Sequence, residues 1–217
     1  MRKALIALTA LFATTCVATT ASAATLLNFQ PGASTLAPGM TIIQDFESMA
    51  AGSSVGTNAG IYNSDISGIS ARPAVGSTGN FLAVRGTPSA GSYQLNFVPA
   101  TAVSFALGSL DTYNTLRLLY ADGSFQDYIG GQIINDLIFP SGDQISGETN
   151  GRVTYTVTSG PLLAGAVFSS TGNSFEIDNV ATAGAVPEPA TWAMIILGFG
   201  IIGRGMRTRR NTMVSFA

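Results

Sequence analysis

The stretch "TLRLLYADGSFQDYI" (Thr115–Ile129) holds two short runs of apolar and aromatic residues on either side of Asp122-Gly123. Asp-Gly is a strong signal for a tight hairpin, because its turn needs positive φ and glycine adopts that without steric cost. Thr115–Tyr120 and Phe125–Ile129 therefore read as paired antiparallel strands. The same grammar recurs outward from this hairpin. "TIIQDF" (Thr41–Phe46), "YQLNF" (Tyr93–Phe97), "AVSFAL" (Ala102–Leu107), "RVTYTV" (Arg152–Val157), "GAVFSS" (Gly165–Ser170) and "SFEIDNV" (Ser174–Val180) are strand-like runs divided by Gly, Ser, Asn and Pro. Val153, Tyr155 and Val157 fall on one face at period two. Asn150-Gly151 marks a further turn, and Asp136–Thr149 reads as a long exposed loop or a binding loop. No segment of the body keeps a helical apolar period for three turns. About eight strands over roughly 160 residues predict an all-β body, an antiparallel β-sandwich of jelly-roll type.

The ends differ from this body. Arg2-Lys3 followed by apolar Ala4–Ala13 and the small residues Ala21-Ser22-Ala23 has the form of an export signal cleaved after Ala23. The chain then divides into residues 1–23 (signal peptide), 24–185 (surface domain) and 186–217 (tail). Cys16 lies in the signal segment and histidine is absent, so the mature chain has no thiol and no imidazole. That excludes disulfides, His- or thiolate-bound zinc, and nucleophile systems built on His or Cys. Between residues 24 and 186 four arginines face eleven carboxylates, a net charge of −7. Such a surface repels phosphate backbones, and nucleic acid is excluded as a partner.

In the tail, Ala190–Gly203 is uncharged, and extension to Met206 brings the helix expected at about 190–206 near the length needed to span a bilayer. Arg204, Arg207, Arg209 and Arg210 form a basic cluster at its far end, which the positive-inside rule places in the cytoplasm, with Trp192 at the opposite interface. Pro187-Glu188-Pro189 precedes the helix and holds the backbone extended.

Pro187-Glu188-Pro189-Ala190-Thr191-Trp192-Ala193, with Met194 and Gly198-Phe199-Gly200 behind it, resembles the PEP-CTERM sorting signal in its PEPxxWA subtype. The same kind of tail also bears the label of an ice-binding-protein C-terminal domain, which implies nothing about ice. The resemblance implies a Gram-negative host that makes exopolysaccharide, with an exosortase as partner and processing enzyme. It assigns Pro187, Glu188, Pro189, Trp192 and Ala193 to the sorting motif, with an inner-membrane intermediate and a final place at the cell surface or in the matrix. Arg204 departs from such tails, which usually carry a small or apolar residue there, and Asn211–Ala217 continue past the basic cluster. In the body, "LGSLDTYNTLRLLYADGS" (Leu107–Ser124), "NGRVTYT" (Asn150–Thr156), "FSSTGNSFEIDNVAT" (Phe168–Thr182) and "QDFESMAAG" (Gln44–Gly52) resemble exosortase-dependent surface proteins. That resemblance implies no enzymatic activity.

Three sets of side chains are candidates for function in the body. If the first and last strands are neighbours, Glu47, Asp178 and Asp45 offer hard oxygens for a structural calcium. Otherwise these acids, with Glu176, are solvated outward positions. Asp111-Thr112-Tyr113-Asn114 is either a capped turn or a sugar-contacting loop. No carboxylate pair is singled out for glycoside hydrolysis. The expected function is a non-enzymatic surface or matrix protein associated with exopolysaccharide or biofilm; the alternative is a carbohydrate-binding module, with or without calcium.

Overall fold

The structure, a computed structural model, describes residues 23–135, 142–184 and 189–208. Its strands are β1 (Ala24–Pro31), β2 (Met40–Gln44), β3 (Ser54–Gly56), β4 (Ala59–Tyr62), β5 (Phe81–Arg85), β6 (Gly91–Gly108), β7 (Asn114–Tyr120), β8 (Phe125–Ile129), β9 (Gly151–Ser159), β10 (Leu163–Ser170) and β11 (Asn173–Gly184). A 3₁₀ turn covers Gly130–Ile134, and α1 (Pro189–Thr208) follows the body.

The hairpin forms as expected. β7 and β8 pair antiparallel with Leu119 opposite Phe125 and Thr115 opposite Ile129. Gly123 sits at φ +86°, and the Asp122 carboxylate accepts the Ser124 N–H at 2.9 Å. A methyl side chain at Gly123 forces a left-handed conformation on an L-residue. Gly123→Ala is expected to cost about 1 kcal/mol, read as a melting temperature lower by a few degrees.

All pairings are antiparallel and join eleven strands into one network, ordered β3-β4-β5-β11-β6-β10-β7-β8, with β1 on β9, β9 on β6 and β2 on β11. The all-β antiparallel expectation is met. A jelly roll's two separate sheets are replaced by a continuous one because Tyr93–Phe97 and Ala102–Leu107, read as two strands, belong to a single 18-residue strand. The first part of β6 pairs with β10, and its second part pairs with β9 and β11. Pro99, which lacks a ladder N–H, lies where the partners change.

This shared strand lets the two wings meet. Phe168 of β10 stands edge-on to Phe105 of β6 at 5.1 Å and to Phe175 of β11 at 5.7 Å, and all three rings are buried. On β7, Leu116, Leu118 and Tyr120 alternate inward, while Val153 and Tyr155 of β9 are buried as their spacing predicts. Four strands escape the sequence reading. β1 adjoins the expected cleavage site, and β3, β4 and β5 are short runs among turn residues.

The described residues of the tail, 189–208, form one helix, α1. Among the described residues, no helix is long and apolar enough to cross a membrane. Between Ile195 and Ile202 the large apolar side chains of α1 are nonetheless exposed, with Ile196 at 70% and Phe199 at 72%. Residues 1–22, and with them Ala21 and most of the expected signal, lie outside the described residues, as do 136–141 of the expected loop.

Candidate functional site

The chemistry of the body converges on β11. Its Asp178-Asn179 step is a bulge: Asn179 is left-handed at φ +48°, and the register against β6 shifts between Asp178 and Ala181. Asparagine tolerates that conformation far better than a branched residue, so the bulge is written into the sequence. Three elements are tied here. The Asn179 side-chain amide donates to Gly76 O at 2.6 Å, its N–H donates to Asp178 Oδ1 at 2.6 Å, and its carbonyl accepts from Arg152 Nη1 at 3.3 Å.

Arg152 is 2% exposed. Its guanidinium also donates to Ser34 O at 3.0 Å and Ser104 Oγ at 3.1 Å. Burial lowers its proton affinity, and the field of Asp178 raises it.

The segment 63–80 covers this end of the sheet, held by Arg72. Its N–H donates to Asp65 Oδ1 and its Nη1 to Gly79 O, both at 2.7 Å, and its guanidinium lies 5.0 Å from the centre of the Phe81 ring. Beneath the segment, Glu176 accepts from Ala71 N–H at 2.9 Å, from Ser109 Oγ at 3.0 Å and from Ser174 Oγ. Burial nevertheless pushes its pKa up to about 7. Asp178 is also pushed up to about 7, by burial first, with the Glu47 charge adding and Arg72 opposing. The Ser77 hydroxyl and Asp178 Oδ2 are buried neighbours whose interaction favours the carboxylate but misses good hydrogen-bond geometry.

The first and last strands of the sequence reading are indeed neighbours, since β2 pairs with β11 and places Gln44 opposite Val180. The acids, however, divide differently from expectation. Asp45 and Glu47 are exposed, whereas Glu176 and Asp178 are 1% and 0% exposed. The solvated reading is corrected for the second pair, because segment 63–80, which has no strand pattern, roofs that face of β11. Phe46, between Asp45 and Glu47, is left-handed at φ +60° and buried. Glu47 accepts the Asn80 N–H at 3.0 Å and lies against Gly79, where a Cβ would meet Glu47 Oε1 at 2.0 Å. Asp45 caps the Glu47 N–H at 3.1 Å.

Glu47, Ser77 and Asp178 thus share one neighbourhood, which supplies two carboxylates and a hydroxyl toward the roughly 6–8 oxygens calcium takes. Among the described residues, no group of three or more acidic, His or Cys side chains is arranged for a metal. The cavity beside Glu176 measures about 60 Å³, room for water and not for a sugar ring.

The Asp111–Asn114 loop is a capped turn. Asn114 is buried and its Oδ1 accepts the Asp111 N–H at 2.7 Å. The Tyr113 hydroxyl lies 2.6 Å from Asp111 Oδ2 and 2.8 Å from Asn173 O. Arg152 and Ser77 were missed as centres of the site. Arg152 carries one faint signal, as a long charged residue in a strand otherwise built of Val, Tyr and Thr.

In the tail, Pro189, Trp192, Ala193, Arg204 and Arg207 lie on α1, while Pro187, Glu188, Arg209 and Arg210 fall outside the described residues. Neither the curated proteins nor the solved structures give a match to this chain. Residues 185–210 match the family model described as PEP-CTERM protein-sorting motif, which implies an exported protein with an exosortase as its processing partner. The order of Pro187-Glu188-Pro189, α1 and the arginines is therefore a sorting address, and the chain carries a PEP-CTERM protein-sorting motif over residues 185–210.

Proposed function

We propose that this chain is a non-enzymatic surface or matrix protein that reaches the outside through an inner-membrane intermediate and there associates with extracellular polysaccharide. The motif match over residues 185–210 carries the reading. In the intermediate, the exposed apolar residues of α1 face lipid. α1 is less apolar than an ordinary span, and its 20 residues, about 30 Å long, suit the hydrocarbon core only with the arginine end at the headgroups. Arg204 snorkels to the cytoplasmic headgroups, joined by Arg207, Arg209 and Arg210, so Pro187-Glu188-Pro189 stands on the outer side. Pro189 opens α1, and a proline disfavours helix at the residue before it, which favours entry of this strip into a protease cleft. The exosortase removes the tail and frees the body.

Mass spectrometry of the protein from an exosortase-positive host tests this. The mature C-terminus is expected in the tail, upstream of the arginine cluster, and replacement of Pro187, Glu188 and Pro189 by alanine is expected to restore a chain ending at Ala217. An unaltered native chain that ends at Ala217 in that host overturns the reading.

A further inference from the structure

Among the described residues β1 pairs only with β9 and β8 only with β7, so each keeps one edge without a described partner. The first residues of β1 and Gln126, Asp127 and Tyr128 of β8 border the same groove, of about 670 Å³. That volume lies within the roughly 300–1,000 Å³ of ligand clefts. Its base is built. Thr25 Oγ1 and Tyr128 OH are 2.7 Å apart, the Tyr128 ring lies 4.7 Å from that of Tyr155, and Tyr155 OH donates to Ile133 O at 2.8 Å. These contacts lock β1, β8 and the 3₁₀ turn together.

The wall sets the exposed amides of Gln126, Gln132 and Asn135 beside the apolar side chains of Leu26 and Leu27. Gln132 accepts the Ile129 N–H through Oε1 at 3.0 Å, so its Nε2 donors take no part in that bond. Asn135 ends the 3₁₀ turn at φ +56°, a left-handed conformation, and also lines the groove. The acid of the wall brings no spare charge, because Asp127 is held bidentately by Arg117 at 2.6 and 2.8 Å.

Resting on the polysaccharide reading above, we infer that the groove between β1 and β8 is a saccharide cleft, selective for neutral oligosaccharides. Amides and hydroxyls both donate and accept, as sugar hydroxyls do, and a neutral wall gives an acidic glycan no charge to pair with. An incoming peptide strand fits less well. To reach either unpaired edge it must enter where Thr25 and Tyr128 already bridge the two strands, and break that bond.

The test titrates the full chain, in a detergent without a sugar headgroup, with gluco-, manno- and galacto-oligosaccharides and with matching oligouronates. A neutral oligomer is expected to bind, and Gln126→Ala combined with Asn135→Gly is expected to weaken it about tenfold at unchanged melting temperature, as for loss of one good hydrogen bond. The glycine retains the left-handed backbone. Neutral binding that the double variant leaves intact overturns the cleft while the polysaccharide reading stands. Preference for oligouronates, or capture of an extended peptide that sugars do not displace, also overturns the cleft. Failure of every saccharide to bind overturns both readings.

Discussion

Arg152→Ala is expected to lower the unfolding free energy by about 3–5 kcal/mol, as when one partner of a buried charged network is removed. Ser34 O and Asn179 O lose a donor in a half-buried setting, and Ser104 Oγ is left with Thr154 Oγ1 alone. The large side-chain volume leaves a void as well. Because Arg152 ties the segment around Ser34 to the β11 bulge, the loss loosens tertiary packing and not one strand alone. Arg152→Lys keeps the charge but not the fork, so it is expected to fall between wild type and alanine. Urea unfolding measures both. A midpoint for the lysine variant equal to wild type contradicts the network, and it remains readable if the alanine variant fails to fold.

Stability should fall as pH rises from about 4 to about 7. Glu176 and Asp178 keep their protons to about pH 7 in the folded state, because burial disfavours the carboxylate. In the unfolded chain they lose them near pH 4. Between those values the folded state binds more protons, so stability is full below the window, declines through it and is flat above it. For Glu176 alone the decline amounts to about 3 kcal/mol. Asp122, Asp127 and Asp143 act oppositely. Asp122 is held low by Ser124, Asp127 by Arg117 and Asp143 by the N–H groups of Ile145 and Ser146, so they lose their small exposed contributions as pH falls. Maximum stability is thus expected near pH 4–5. Glu176→Gln can accept from Ala71 and Ser174 through its oxygen and donate to Ser109 through its nitrogen. It is expected to flatten the profile and to exceed wild type at pH 8. An unchanged slope in Glu176→Gln, followed by urea midpoint across pH 3–9, sinks the account.

The two predictions rest on residues of unequal legibility. The strands read best where local pattern and tertiary role agree, as in Thr115–Ile129, where turn chemistry and strand propensity point one way. Legibility fails where one strand serves two neighbours. Val98 and Pro99 look like a break, yet β6 runs through them because its backbone groups find β10 on one stretch and β9 and β11 on the next. The acids on β11 illustrate the same limit. Alternation states which residues share a face, but not whether a distant segment will cover that face.

The amino-acid order alone determined what depends on near neighbours in the chain: the hairpin at Asp122-Gly123, the antiparallel β class, the absence of imidazole chemistry, and the proline-bracketed tail with its arginines. Those features follow from φ preference, pattern and charge within a few residues. Tertiary structure decided which carboxylates are buried, that Arg152 lies at the junction with the bulge, and that β1 and β8 border one groove. The reason is distance along the chain: Ser34, Ser104, Arg152 and Asn179 meet only after the sheet has closed, and burial follows from that meeting.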